Sequence, residues 1–170
     1  MIRRAVRPCG TRAEAVYSPC GAYRYALTLR WGPGPKVAWI MLNPSVAGAE
    51  RNDPTIARCE RRSRALGYGA MRAVNLFALR ATRPADMRRA ADPVGPEGDA
   101  ALAAALRWAD DAVCGWGVHG SHRGRDREVR ARVARPLVLG LTAGGHPRHP
   151  LYVPYAACPV PWLDAAAPAA

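Results

Sequence analysis

A chain of 170 residues, 49% hydrophobic and 22% charged, is long enough for one domain with a real core and has the balance of an ordinary globular protein. Its formal net charge is +12, carried almost wholly by arginine because Lys36 is the only lysine; a field of that sign attracts polyanions, although abundant Ala and Arg are also what GC-rich coding produces. No window is long and apolar enough to cross a membrane, the basic N-terminus lacks the apolar centre of a signal peptide, and five scattered cysteines without a CxxC pair predict reduced thiols in a cytoplasmic protein.

Residues 1–22 show no clear period and are punctuated by Pro8, Gly10, Pro19 and Gly21. They predict an irregular lead-in. Residues 23–31 alternate strictly: Tyr23, Tyr25, Leu27, Leu29 and Trp31 point one way, Arg24, Ala26, Thr28 and Arg30 the other. That pattern predicts a strand with one wetter face, at a sheet edge. Residues 36–42 are almost all apolar and stop at Asn43-Pro44-Ser45. A short apolar run of this kind predicts a strand buried on both faces at the centre of a parallel sheet, ended by a proline that cannot join a ladder.

A loop over 46–52 follows. Asp53-Pro54 then predicts a helix start, with Asp as N-cap and Pro at the first helical position, running to about residue 66. Strands are expected over 71–78, 112–116 and 136–141. Helices are expected over 85–91, from 95 to about 109, and from Asp126 to 134. The Ala/Pro-rich tail over 155–170 predicts fraying. Strands alternating with helices predict a single α/β domain: a three-layer αβα arrangement with a mostly parallel central sheet of about four strands plus an edge strand.

Parallel strands would place Asn43, Asn75, Trp116-Gly117 and His146 at one edge, where open α/β sheets bind ligands. Each stretch also has a plain structural reading. Asn43-Pro44-Ser45 suits holding a water or reading an amide edge, or is simply a turn. Asn75 beside Phe77 suits a flat heterocycle, or Phe77 is core. Trp116-Gly117 allows close approach to a ligand, or is a core Trp with an easy turn. Asp53 is a nearby carboxylate or only a helix cap. All four histidines fall in two His-x-x-His pairs, His119/His122 and His146/His149. The pairs raise the question of metal, but neither loop contains a carboxylate or cysteine, and no metal or other cofactor is expected. His146, Arg148 and His149 instead suit a phosphate or a leaving base.

At these residues a resemblance emerges. RYALTLRWG, IMLNPSVAGAERNDPTI, NLFALRAT and GLTAGGHPRHPLY closely resemble an uncharacterised bacterial and phage family, known only as a domain of unknown function. The order of motifs is also distantly similar to the uracil-DNA glycosylase superfamily. Met41-Leu42-Asn43-Pro44 is similar to its water-positioning loop, and His146-Pro147-Arg148 to its His-Pro-Ser loop with Arg in place of Ser. That similarity implies a uracil-DNA-glycosylase-like fold and hydrolysis of an N-glycosidic bond in DNA or a nucleotide. Asn43 would hold the water, His146 would face the developing base anion, and Asn75 and Phe77 would read and stack the base, with Pro44, Ser45, Trp116, Gly117, Arg148 and His149 lining the substrate. The partner expected is DNA or a nucleotide, and a monomer is favoured. A non-catalytic nucleic-acid or nucleotide binder, and a metal-dependent hydrolase using the His pairs, are the alternatives.

Overall fold

A computed structural model describes residues 1–7, 10–45 and 53–163. The chain runs β1 (Ile2–Val6), β2 (Arg12–Tyr17), β3 (Arg24–Arg30), β4 (Lys36–Met41), α1 (Pro54–Ala65), β5 (Ala70–Asn75), α2 (Pro84–Arg89), α3 (Gly98–Trp108), β6 (Asp111–Cys114), α4 (Arg125–Arg132), β7 (Pro136–Val138) and β8 (Val160–Pro161). The expected loop over 46–52 lies outside the described residues.

All eight strands form one sheet in the order β1-β2-β3-β5-β4-β6-β7-β8. The pairs β1–β2, β2–β3, β3–β5 and β7–β8 are antiparallel. Only β4–β5, β4–β6 and β6–β7 are parallel. The expected architecture, a mostly parallel sheet of about four strands plus an edge strand in a uracil-DNA-glycosylase-like αβα sandwich, is therefore wrong. The sheet is mixed and mostly antiparallel, and its helices are few and short.

The error has a local cause. Gly10 and Gly21, taken as signs of irregularity, sit at turns between antiparallel strands, both with φ of +74°. Arg7 N–H to Thr11 C=O at 2.8 Å closes the β1–β2 connection, and Ser18 N–H to Tyr23 C=O at 3.1 Å closes the β2–β3 connection. The strand between them, β2, is hard to see because Ala13 and Ala15, small residues of low strand propensity, fill its inward face. β3, expected at an edge, lies between β2 and β5. At the other end the tail contributes β8, and Trp162 rests on Trp116 with ring centroids 5.6 Å apart.

β4 is the best buried strand: Val37, Ala38, Trp39 and Ile40 are fully enclosed. Its alternation divides the core. Val37, Trp39 and Met41 face α1 through Ile56 and Cys59. Ala38 and Ile40 face α2, α3 and α4 through Met87, Leu102, Ala105 and Val129. The Trp39 indole donates to Ser63 on α1 at 3.0 Å, and the Ser63 hydroxyl donates to Cys59 C=O at 2.8 Å, so the buried polar edge of this tryptophan is satisfied.

β3 carries a bulge. Val16 pairs with Ala26 but Tyr17 pairs with Arg24, so Tyr25 is an extra residue. An extra residue reverses the in–out alternation beyond it. Arg24, which strict alternation assigns to the wetter face, is turned to the α1 side and is only 3% exposed.

Candidate functional site

The ends of β4, β5 and β6, the start of antiparallel β3 and the loop after β7 meet at one edge of the sheet. A cleft of about 540 Å³ opens there, walled by Asn43, Thr55, Trp116, Arg148 and His149, with Tyr152 on its rim. A smaller hollow of about 170 Å³ shares Asn43, Ser45, Thr55 and His149 with it and runs inward to Arg24, Asp53 and Asn75.

Each wall has a local cause. The Asn43 amide donates to Ala81 C=O at 2.8 Å and to Pro44 C=O at 3.2 Å. Two carbonyl partners fix the –NH2 end, and Oδ1 has no partner among the described residues, in a side chain that lines both hollows. Asp53 caps α1: its Oδ1 accepts from Ile56 N–H at 2.8 Å, with Pro54 in the first helical turn. Its Oδ2 accepts from the Ser45 hydroxyl at 2.7 Å. A carboxylate has about four acceptor positions, so Asp53 keeps capacity for a ligand or water.

The wall opposite is held by α1 itself. Arg58 donates to Pro150 C=O at 3.1 Å and Val153 C=O at 2.7 Å. Arg62 donates to Val153, Pro154 and Ala157 carbonyls, each at 2.7 Å. These clamps seat the His149-Pro150 segment against the helix that carries Asp53. The same segment needs a glycine beneath it: a Cβ on Gly115 would lie 2.9 Å from Pro150 Cδ. Gly117, at φ of +71°, donates its N–H to Pro147 C=O at 2.9 Å. The Trp-Gly and His-Pro-Arg-His-Pro stretches are thus two halves of one packing arrangement.

His149 Nδ1 accepts from Leu151 N–H at 3.3 Å, so in the neutral ring Nε2 carries the proton. Burial lowers the His149 pKa, partly opposed by the Asp53 carboxylate. The site therefore presents a neutral imidazole with an N–H to give. Arg24 sits near Asp53; burial lowers its pKa and the carboxylate works against that shift. At the floor, Asn75 is 7% exposed and its Oδ1 has no hydrogen-bond partner among the described residues. A buried, unpaired carbonyl oxygen is costly unless something donates to it.

Asn43, Pro44, Ser45, Asp53, Asn75, Trp116, Gly117, Arg148 and His149 thus all lie at this edge, Pro44 buried behind the cleft wall. His146 does not share it. It lines a separate depression of about 210 Å³ with Asp126 and Arg130, on the other side of Trp116. Its neighbour three residues on, His149, takes the position facing the carboxylate. Phe77 is fully buried against His122, ring centroids 5.7 Å apart, which corrects the expectation that it stacks a ligand. Tyr152, 74% exposed and beside the His149 ring at 5.8 Å, is the aromatic surface at the cleft mouth. Sequence reasoning missed Tyr152, Thr55 and Arg24. Thr55 follows from the helix start, whereas Arg24 depends on the bulge.

The histidine pairs do not converge. His119 contacts Arg88 at 2.8 Å and His122 meets Phe77. Among the described residues no three His, Cys, Asp or Glu side chains come together as metal ligands. Cys59 and Cys114 are buried, and burial pushes both thiols up, Cys114 to about 12, so neither is a ready nucleophile. No helix among the described residues is long and apolar enough to cross a membrane.

Residues 24–151 match the model of a family described as Protein of unknown function (DUF1643), and the chain belongs to that family. The matched span takes in Arg24, Asn43, Asp53, Asn75, Trp116 and His149 and leaves out β1 and β2. No curated protein and no solved structure matches the chain.

Proposed function

We propose that this protein is a cytoplasmic enzyme that hydrolyses the bond between a nucleobase and its sugar, in a nucleotide or in DNA. The observation that carries the reading is Asn75, whose buried Oδ1 has no partner among the described residues, at the bottom of a hollow that also holds a carboxylate and a neutral histidine. Such an acceptor calls for a ligand with a buried N–H, which the edge of a nucleobase offers. The larger cleft, at about 540 Å³, is within the usual range for a ligand of nucleotide size. Tyr152 offers a face for stacking and Arg148 a charge for phosphate.

Asp53 takes a proton from a water held beside Asn43 Oδ1. The water oxygen bonds to the anomeric carbon as the carbon–nitrogen bond breaks, and the bonding pair leaves with the base. The Nε2–H of His149 donates to the charge that develops there. Asn43 keeps the water-holding part expected of it, whereas the part expected of His146 passes to His149. The motif likeness to uracil-DNA glycosylases supports the same bond, while the architecture lends it nothing.

The test is base release, followed by chromatography, from free nucleotides and from oligonucleotides carrying modified bases. Wild type should release a base from at least one substrate, and Asn75→Leu should bind that substrate at least about tenfold more weakly. Asn75→Leu should not be less stable than wild type by more than about 1 kcal/mol, because it removes a buried polar atom that has no partner among the described residues. Binding without release by wild type would establish the non-catalytic binder instead.

A further inference from the structure

The edge of the sheet farthest from the cleft has a second feature. β1, β2 and β3 extend beyond α3, and their uncovered face forms a trough of about 460 Å³. Two cross-strand rows line it. In one, Arg4 pairs with Glu14, Glu14 with Thr28 and Thr28 with Arg72. In the next, Val6 pairs with Arg12 and Arg12 with Arg30.

The first row is internally satisfied. Arg4 binds Glu14 at 2.9 Å, and Arg72 donates to Thr28 Oγ1 at 2.9 Å. The second row is not. Arg12 and Arg30 are direct neighbours on adjacent strands, both exposed, and neither has a carboxylate partner among the described residues. Like charges placed directly opposite repel, and an antiparallel pair holds them roughly 5 Å apart at the backbone. Trp108 at the end of α3 adds to the field rather than relieving it. Its ring carries Arg72 at 4.3 Å, Arg30 at 5.4 Å and the Lys36 ammonium at 5.7 Å. Stacking on an indole orients a guanidinium and leaves its N–H edge free for an anion.

We infer that this trough binds the phosphate backbone of a single nucleic-acid strand, with Arg12 and Arg30 on the phosphates. Charge complementarity selects a polyanion, and the recessed shape selects a strand over a flat layer of lipid headgroups. The inference does not depend on the chemistry of the cleft, because the trough lies beside the N-terminal ends of β4 and β5, where Arg30 pairs with Ala70 and Ala70 with Lys36.

Fluorescence anisotropy with a labelled single-stranded oligonucleotide of mixed sequence tests it, on the full chain, between roughly 50 and 200 mM salt. The variant is Arg12→Glu/Arg30→Glu. The control, Arg89→Glu/Arg127→Glu, changes net charge equally at exposed positions elsewhere. The trough variant should bind at least about tenfold more weakly at intermediate salt, and its log–log salt slope should fall by about 1.4, two single-strand phosphate contacts. The control should lose less than about threefold. If the glutamates disturb the far-ultraviolet circular dichroism, Arg12→Gln/Arg30→Gln is measured instead and should show the same ranking. Equal losses in trough variant and control, absence of wild-type binding, or binding only to vesicles containing phosphatidylserine would each overturn the inference.

Discussion

The Ser45 hydroxyl donates to Asp53 Oδ2 at 2.7 Å, tying the end of the central strand to the first turn of α1. The carboxylate is at once a helix cap, an anchor for that serine and an anion beside buried Arg24. Those tasks can be separated. Asp53→Asn keeps a good cap but removes the charge, so stability should fall by about 1–2 kcal/mol. Asp53→Ala should lose about 1 kcal/mol more, for the cap. Base release should fall on the order of 10²-fold or more in both. Full turnover in Asp53→Asn would reduce Asp53 to a structural residue.

Asn43 makes a sharper prediction. Its –NH2 faces two carbonyls, of Ala81 and Pro44, and a carboxylate in its place would set three acceptors together. Asn43→Asp should therefore destabilise the fold by about 1–3 kcal/mol at neutral pH and recover as the pH falls and the new carboxyl becomes a donor. Denaturant midpoints at two pH values measure this. Unchanged stability at neutral pH would mean that the amide faces the other way.

The pH dependence of stability should carry the mark of His149. Burial lowers its pKa below the ordinary 6.5, against the pull of Asp53. The native state then resists protonation. The stability involved is whole above about pH 6.5 and is lost as the pH drops through the lower folded value. His122 shifts the same way through burial and its neighbours Arg123 and Arg88. His149→Gln should accordingly flatten, without abolishing, the fall in stability below about pH 6.5. A variant as steep as wild type would contradict the assignment.

Arg62 is a test of how the wall is held. Its guanidinium reaches the carbonyls of Val153, Pro154, Tyr155 and Ala157, the Tyr155 contact at 3.3 Å and the others at 2.7 Å. An ammonium cannot reproduce that fork, so Arg62→Lys should cost about 2–3 kcal/mol by urea denaturation. A loss under about 0.5 kcal/mol would show that the segment holds itself.

These arginines also temper the charge reading. Arg58, Arg62 and Arg125 donate to main-chain carbonyls, and Arg125 pairs with Asp99 and Glu128. Part of the positive charge therefore holds the chain together rather than facing a ligand.

What the sequence made legible was local. The apolar run of β4 and the Asp53-Pro54 start of α1 are short-range patterns, and both elements form there. Asn43, Asn75 and Trp116 reach one edge because each follows, or ends, a parallel strand. What was hidden depends on partners far along the chain. Ala-lined β2 needs β3 beside it to be recognised, and β1 needs β2. Phe77 falls on the covered side because the chain leaves β5 at Asn75, and its N–H then bonds Leu42 C=O at 3.0 Å. His146 and His149 differ because Gly145, at φ of +77°, tightens the turn before them and Gly117 N–H catches Pro147 between them.

The extra residue in β3 makes strand register, rather than composition, the sensitive variable on that side of the molecule. Were Tyr25 to pair with Tyr17 in an unbroken two-residue rhythm, the Arg24 guanidinium would turn out of the hollow to the opposite face. Every residue would keep its identity, yet the cation beside Asp53 would be gone. The cation in the hollow thus depends on the bulge as well as on the arginine.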